Sequence, residues 1–541
     1  MKASQFIQFL LAFVLLGNID LEARIIPSGR TIQWSPGLSS RGGIPKRTSL
    51  INVKDPPYRA KGDGKTDDTA AIQAALNAAQ ANQVVYLPAG TYATSSSLEM
   101  NRANVSIRGD GPSQTIIKFS GAEGIQATPG QSWNSPVAIT NTATQGQTSI
   151  TVASASGIAV GDIVAISETN PPYATAAGFD GVCTWCGVND YGTSSGNDQS
   201  RLIVQLDKVV RISGNALTLE RPLYLTYSNS PAIQDTTLVY GIGIENLQVL
   251  RVGGSGYQNF DIDMQNVAQS WIINCASIST TGTWSTAHFN FSTTYGCEIR
   301  ECWAQGDPAI SGSTQNLGVF LNQLNSEDLV EDNIMVSTQD AFVGQGSSGC
   351  VIGYNYGVGT VNSDAPDWLS ADWDLHAAEN IMMLFEGNNG NQLSFDNTWG
   401  GNAFNTAFRN WICAFSSANT VPTGNRVAID LQANTYCASI VGCVLGRPGD
   451  ASSTDYAKAP TVSASAYIHG NYCYVTGQTL WDATNSDHTL PASLYYGSPF
   501  LPAKPAWWNH WGTVRWPPIG PDLSPMTGEI PAVVRYNKHL L

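Results

Sequence analysis

Asp374 opens the segment DLHAAENIMMLFEGN, which also contains His376, one of only six histidines in the 541 residues, and Glu386. Asp340 and Asp396 lie before and after it in the chain. Carboxyl groups can protonate a leaving oxygen or activate water, and a histidine can orient a carboxylate, donate to a substrate or act as an acid. We therefore predict that these five residues include the catalytic groups. The alternative is that they are solvated or packed parts of a scaffold.

Aromatic and cationic side chains near these acids can contribute substrate binding. Trp373 and Trp399 flank the acid-rich region and can stack on sugar rings, and Arg409 and Arg300 can donate hydrogen bonds to hydroxyl groups. Each of the four can instead pack between loops. We predict them as candidate substrate-binding residues.

The composition restricts the class of ligand. The chain has 42 acids and 27 Lys and Arg, a formal net charge of −15, and no basic run that could follow a phosphate backbone. Nucleic acid is therefore excluded as an expected partner. Carboxylated sugars are normally held by Arg and Lys, so the scarcity of cations favours a neutral or weakly charged glycan.

A repeat is visible from residue 270 onwards, and it defines the elements that must position these residues. An apolar residue, two others and then Asn or Cys recur at intervals of 22 to 33 residues, as IINC, IREC, VEDN, IGYN, FEGN, AFRN, IVGC and IHGN. Such a period is typical of a solenoid in which each rung covers the apolar face of the next. The Asn and Cys column is predicted to form a hydrogen-bonded ladder along the stack, with Cys275, Cys302 and Cys443 as buried thiols or as disulfide partners between rungs.

Strand alternation within the repeat predicts which side chains face outward. The residue after each apolar position should point out, which places Arg300, Glu331, Glu386 and His469 in one column. Asp340 and Asp396 are predicted to lie at nearly equivalent places two rungs apart. At about 4.8 Å per rung that is roughly 10 Å, near the upper end of the carboxyl separation of inverting glycosidases.

The N-terminal region carries the motif that identifies the fold. AKGDGKTDDTAAIQAAL, read as a turn and a short helix, is followed by the strand-like VVYLPAGTY. Together they resemble the cap and first rung of the pectate-lyase-like right-handed β-helix superfamily, in its rhamnogalacturonase and polygalacturonase-related branch. The resemblance implies an all-β, single-stranded right-handed parallel β-helix with a short N-terminal capping helix. Asp63, Asp67 and Asp68 are predicted to serve the turn and the helix cap rather than catalysis.

A second stretch is similar to the polygalacturonase-related enzymes only in outline. TQDAFVGQGSSGCVIGYN has Asp340 where that family shows a pair of aspartates before a turn rich in glycine and serine. The family's Gly-His-Gly motif is missing from this sequence, and its Arg-x-Lys motif is missing from the region that follows Asp340. The departure puts galacturonan hydrolysis by the usual apparatus in doubt.

The chain divides into five predicted segments. Residues 1–23 have the layout of a secretory signal peptide, with a retained membrane anchor as the alternative. Residues 24–135 form the cap and first rungs, 136–227 an inserted β subdomain, 228–490 further rungs, and 491–541 a wrapping tail. The long loop of the inserted subdomain can lie over a binding groove or be a disordered surface loop. CTWC in that loop, with Cys183 and Cys186, predicts a short disulfide or a thiol pair rather than zinc.

These observations predict a secreted, monomeric carbohydrate-active enzyme without a membrane span in the mature chain. The first expectation is a glycoside hydrolase that uses carboxylate acid–base catalysis, without cofactor or metal. Two alternatives stay open: a polysaccharide lyase acting on a uronate polymer, in which case calcium is expected, and a non-catalytic glycan-binding protein of the tailspike kind.

Overall fold

The computed structural model describes residues 25–189, 197–307, 315–362, 365–417, 422–459, 462, 465–499 and 501–540. Most of the described chain winds into a right-handed parallel β-helix with three long sheets, here named A, B and C. Each full turn runs through one strand of sheet C, one of A and one of B, as in Phe342–Gln345, Val351–Gly353 and Tyr356–Val358. The predicted fold is confirmed.

Sheet A has twelve strands, all paired in parallel. They are Ser49–Asn52, Gln83–Tyr86, Ser106–Arg108, Gly243–Glu245, Trp271–Ile273, Glu298–Arg300, Leu329–Glu331, Val351–Gly353, Leu384–Glu386, Thr406–Phe408, Ser439–Val441 and Tyr467–His469.

Sheet B has thirteen strands, of which only the last pair is antiparallel. They are Asp63–Asp67, Gly90–Thr94, Thr115–Phe119, Gln248–Arg251, Ala276–Ser279, Trp303–Gln305, Ile334–Val336, Tyr356–Val358, Asn389–Gly390, Trp411–Ile412, Val444–Leu445, Asn471–Cys473 and Gln478–Leu480.

Sheet C has eleven strands and carries the candidate site. They are Leu98–Glu99, Ile125–Ala127, Val239–Tyr240, Gly256–Ala268, Ser285–Tyr295, Leu317–Asn322, Phe342–Gln345, Trp373–Ala377, Leu393–Trp399, Val427–Leu431 and Thr454–Lys458. A three-stranded sheet of Asn380–Ile381, Asn402–Ala403 and Thr435–Tyr436 adjoins it.

A separate six-stranded antiparallel sheet interrupts the helix. Its strands, in spatial order, are Ser149–Thr151, Ala216–Leu219, Val204–Ser213, Ile163–Ser167, Ala232–Thr236 and Val137–Ala138. It therefore includes a strand beyond residue 227, the predicted limit of the insertion. Between two of its strands, the loop of residues 175–189 leads into a small pair of strands, Val188–Asn189 and Asn197–Asp198.

The described residues also include four short helices: the α-helices Thr69–Ala78 and Pro531–Asn537 and the 3-10 helices Ser39–Arg41 and Ala506–Trp511. Asp68 accepts hydrogen bonds from the backbone of Lys61 and Gly62, and Asp67 accepts one from Thr69 at the start of the first helix. The structural interpretation of these acids is therefore confirmed. None of the helices in the described part of the chain has the length and apolar character that crossing a membrane requires.

The asparagine ladder at the corner between sheets A and B is confirmed. Asn333 Nδ2 donates to Asn355 Oδ1, Asn355 to Asn388, and Asn388 to Asn410, each at 3.0 Å. The residue before each ladder position has a left-handed backbone, with φ 56° at Tyr354 and 70° at Gly387. Such a bend turns the chain sharply, and the ladder satisfies polar groups that the corner buries.

Cysteines occupy some of the positions in the same column. Cys443 occupies a ladder position, accepting a hydrogen bond from Asn410 Nδ2 at 3.8 Å. Cys275, Cys302 and Cys443 are free, buried thiols, which decides between the alternatives for this column. Cys183 and Cys186 form a disulfide, and the other eight cysteines are free.

The apolar interior is flanked by a second apolar cluster outside sheet A. Phe385 and Ile352 point into the interior, whereas Leu384 and Val351 point outward and pack against the C-terminal tail. Tail aromatics, including Trp508 and Tyr495, bury themselves in this outer cluster. The outward face of sheet A around these strands is therefore covered by protein rather than open to a ligand.

Candidate active site

The candidate active site lies on the outward face of sheet C. In the strand Trp373–Ala377, Trp373 and Leu375 point into the core, so that Asp374 and His376 point out. The next strand pairs in parallel, with Asp374 beside Ser394 and Leu375 beside Phe395. Register therefore places His376 next to Asp396.

A compact hydrogen-bonded group results from this register. His376 Nδ1 lies 2.6 Å from Asp396 Oδ2 and 3.5 Å from Asp374 Oδ2. Thr398 donates to Asp396 through both its backbone N–H, at 3.0 Å, and its hydroxyl, at 2.8 Å. Asp396 is thus held on two sides, and it fixes the orientation of the half-buried imidazole.

The electrostatics of this group favour proton transfer near neutral pH. Burial lowers the pKa of His376, but the charges of Asp396 and Asp374 and the hydrogen bonds to them outweigh it and hold the pKa well above its usual range. Burial, followed by repulsion from Asp396, raises the pKa of Asp374 to about 6. A cationic imidazole and a carboxyl of raised pKa therefore lie side by side.

Asp340 lies close enough to interact with this group, but not at the predicted register. It precedes the strand Phe342–Gln345, whereas Asp396 lies within its own strand, so the two are not equivalent positions. Parallel pairing brings that strand directly beside Trp373–Ala377. Burial, followed by repulsion from Asp374, raises the pKa of Asp340 well above its usual range.

Glu386 does not belong to this site. The predicted outward column is confirmed, because Arg300 pairs with Glu331, and Gly353 with both Glu331 and Glu386. That column, however, lies on sheet A beneath the tail. Glu386 is fully buried, accepting hydrogen bonds from Tyr354 Oη at 2.6 Å and from the Leu494 backbone at 2.8 Å.

Arg409 and Arg300 also lie on the tail side, which corrects their predicted role in substrate binding. Arg409 forms an ion pair with Asp522 at 2.8 Å and donates to the carbonyls of Pro491 and Ile519. Arg300 lies 3.4 Å from Glu298. Arg409 therefore holds the C-terminal tail against sheet A, and Arg300 interacts with a neighbouring carboxylate.

The two predicted stacking residues have different positions. Trp373 is an interior residue with an exposed fraction of 1%, which corrects the prediction that it stacks on sugars. Trp399 is half-buried at the end of the strand that carries Asp396, with its ring 5.1 Å from that of Trp185. Strand alternation places the Trp373 side chain in the interior row of sheet C, from which it cannot reach a ligand at the surface.

Sequence reasoning missed several residues of this face. Asp430 occupies the same row as Asp374, one strand beyond Ser394, and burial raises its pKa. Gln345 and Thr398 also lie beside the acids. The signal for this face in the sequence is the alternation of apolar and polar residues in WDLH, LSFD and VAID, which marks the outward residues of three neighbouring strands of sheet C.

Asp374, His376 and Asp396 could also hold a cation. One ligand atom from each lies within 4.8 Å of the others. Two carboxylate oxygens and an imidazole nitrogen suit a divalent ion, although calcium prefers six to eight oxygens. Protonation of His376 opposes such binding, since a ligating imidazole must be neutral.

Comparisons with known proteins agree with the fold. The chain has the pectate-lyase-like right-handed β-helix that its sequence resembles. Residues 50–156 match the family described as rhamnogalacturonase A/epimerase, pectate lyase-like. The tailspike gp61 of Pseudomonas phage phi297 is similar in structure, with a TM-score of 0.53 and 14% identity over 80% of this chain and 76% of that one.

Sequence relatives match only a short part of the chain. Alginate lyase 7 of Azotobacter vinelandii is 49% identical over 76 residues, which are 13% of this chain and 9% of the lyase. A probable glucan endo-1,3-beta-glucosidase of Arthroderma benhamiae is 51% identical over 51 residues, 9% of this chain and 6% of that protein. The chain therefore matches less than a tenth of the length of either relative.

Proposed function

We propose that the protein is a secreted carbohydrate-active enzyme that hydrolyses a neutral or weakly charged polysaccharide. The single observation that carries this proposal is the group formed by Asp374, His376 and Asp396 on an outward sheet, with Asp340 beside it. The names of the sequence relatives support a carbohydrate substrate.

The roles follow from the electrostatics. The Asp340 carboxyl, whose pKa is raised well above its usual range by burial and by the neighbouring Asp374, donates its proton to the glycosidic oxygen as the C–O bond breaks. Asp374, with a pKa of about 6, is ionised at neutral pH and takes a proton from the water that attacks the anomeric carbon. His376, as a cation held by Asp396, stabilises the charged form of Asp374.

The substrate class follows from the charges on the same face. The strands Phe342–Gln345, Trp373–Ala377, Leu393–Trp399 and Val427–Leu431 contain no Lys or Arg. They do contain Asp374, Asp396 and Asp430, which would repel the carboxylates of a uronate polymer. A neutral glycan avoids this repulsion, and Gln345 and Ser394 can hydrogen-bond to its hydroxyls.

A β-elimination on a uronate is the second candidate, and the similarity to alginate lyase 7 favours it. It would require a divalent cation held by Asp374, His376 and Asp396, which would neutralise both the protein carboxylates and the uronate. The chain's own acids would then act as the base. The four strands named above contain no Lys or Arg that could take the place of the cation.

A product assay separates the two reactions. Laminarin, pullulan, dextran, polygalacturonate and alginate are each incubated with the protein in oxygen-labelled water, with Asp374→Asn as the inactive control. Hydrolysis predicts new reducing ends that carry the label. An ultraviolet-absorbing unsaturated product without label, formed only with added calcium, would show that the reaction is elimination and not hydrolysis.

Export and a monomeric state are part of the same proposal. Residues 1–23 have the layout of a signal peptide and lie outside the described residues. N-terminal sequencing of the protein recovered from culture medium tests export, and light scattering tests the monomer.

A further inference from the structure

The loop of residues 175–189 reaches from the six-stranded sheet to the candidate active site. The Phe179 N–H donates to the Asn397 carbonyl at 3.0 Å, and the Asp180 N–H donates to the Thr398 carbonyl at 3.1 Å. A side-chain Cβ at Gly178 would lie 2.3 Å from both of these carbonyl oxygens, so only glycine permits the approach. The loop is therefore held against the strand that carries Asp396.

This attachment joins the loop to the reacting groups by direct contacts. Thr398, whose carbonyl accepts from the loop, donates its own N–H and hydroxyl to Asp396. Asp396 in turn binds His376. Three successive hydrogen bonds, from the loop to Thr398, from Thr398 to Asp396 and between Asp396 and His376, thus join the loop to the imidazole.

Aromatic side chains line this loop. Phe179 has an exposed fraction of 67%, among the highest of the large apolar residues in the described chain. Trp185 donates from Nε1 to Gln345 Oε1 at 3.1 Å and packs edge to face on Trp399. Gln345 lies on the strand next to that of His376, so these rings border the acids.

A disulfide fixes the shape of the loop. Cys183 and Cys186 are fully buried and pack with Ala377 and Ala378, immediately after His376. Because the other eight cysteines are free thiols, reduction acts on this one bond in the protein. The loop is therefore ordered at its base while its tip stays exposed.

We infer that the loop of residues 175–189 is a sugar-binding wall, in which the exposed ring of Phe179 and the paired rings of Trp185 and Trp399 offer an aromatic surface to a pyranose ring next to the bond that is cleaved. The inference rests on the proposed function. An exposed aromatic ring provides the flat apolar surface that the C–H face of a pyranose matches, and the nearby Gln345 and Asp180 offer polar groups to its hydroxyls.

Affinity electrophoresis tests the wall without requiring cleavage. Wild-type protein and the variants Phe179→Ala and Trp185→Phe are run through native gels containing laminarin, pullulan, dextran, polygalacturonate or alginate. We expect at least one polysaccharide to retard the wild type, and Phe179→Ala to weaken that retardation about 3- to 10-fold in apparent Kd. Val160→Ala changes an apolar residue of similar exposure, 61%, in the turn before the strand Ile163–Ser167, and this control should bind like the wild type.

Reduction provides a second readout. Cys183→Ser with Cys186→Ser, or dithiothreitol treatment of the wild type, should weaken retardation while the β-helix keeps its circular dichroism spectrum. The inference is overturned if no polysaccharide retards the wild type, or if Phe179→Ala and the reduced protein bind as tightly as the wild type. Failure of the proposed hydrolysis is distinguishable, because it would appear as retardation by a polysaccharide without release of reducing ends.

Discussion

His376 Nδ1 and Asp396 Oδ2 lie 2.6 Å apart on neighbouring strands of sheet C, and both side chains point away from the apolar interior. The pair resembles the carboxylate–imidazole arrangement in which one residue orients the other. The parallel pairing of the strands Trp373–Ala377 and Leu393–Trp399 brings the two side chains together. Its contribution to catalysis can be measured by substitution.

Asp396→Asn should reduce kcat about 100-fold or more, because it removes the charge that keeps His376 protonated and oriented. The measurement is the initial rate of reducing-end release on the polysaccharide that the panel identifies. Asp430→Asn is the matched control, since it changes an acid on the next strand that does not contact His376. Equal losses in both variants would contradict a specific role for the pair.

The pH profile of kcat/KM should fall on its acidic side near pH 6. Asp374 has a pKa of about 6 and must be ionised to act as a base, so activity is lost as the pH falls through that value. A profile without a fall in activity near pH 6 would assign the base to another group.

Glu386→Gln should change stability and leave kcat close to that of the wild type. Burial raises the pKa of Glu386 from 4.5 to about 7, so the folded state binds more protons than the unfolded state. The free energy of unfolding should therefore fall as the pH rises from about 4.5 to about 7, by up to about 3 kcal/mol from this group. Urea titrations at pH 5 and pH 8 should show a smaller difference in the variant. A large loss of kcat in folded Glu386→Gln would show that Glu386 takes part in catalysis.

Asn388→Ala should lower the free energy of unfolding by about 2–4 kcal/mol, because it leaves buried partners without hydrogen bonds. Asn388 donates to Asn410 and to the Ile352 carbonyl, and it accepts from Asn355. Cys443→Asn is the opposite test, since it replaces a weak acceptor in the ladder by an amide. We expect it to be neutral or stabilising in the same urea titration, whereas destabilisation comparable to Asn388→Ala would show that the column tolerates only its present residues.

Local patterns explain how much could be predicted. The ladder residues and the outward column of Arg300, Glu331 and Glu386 follow from a short repeat with a strand period of two, which is visible in the sequence. The burial of that column beneath the tail is not visible in the sequence, because it depends on Leu494, Tyr495 and other tail residues more than a hundred positions away. Asp374, His376 and Asp396 could be nominated as acids and a histidine. Their mutual contact needed the register of sheet C, and the loop at Phe179 needed the tertiary structure.

The bond between Phe179 and Asn397 also sets an order of assembly during synthesis. A nascent chain can complete the six-stranded sheet once Thr236 has emerged, but the strand Leu393–Trp399, to which the loop attaches, is made only much later. Until then Phe179 and Trp185 lack their native neighbours on that strand. The binding wall and the acid group therefore become complete together, and a chain that stops before Asp396 would have neither.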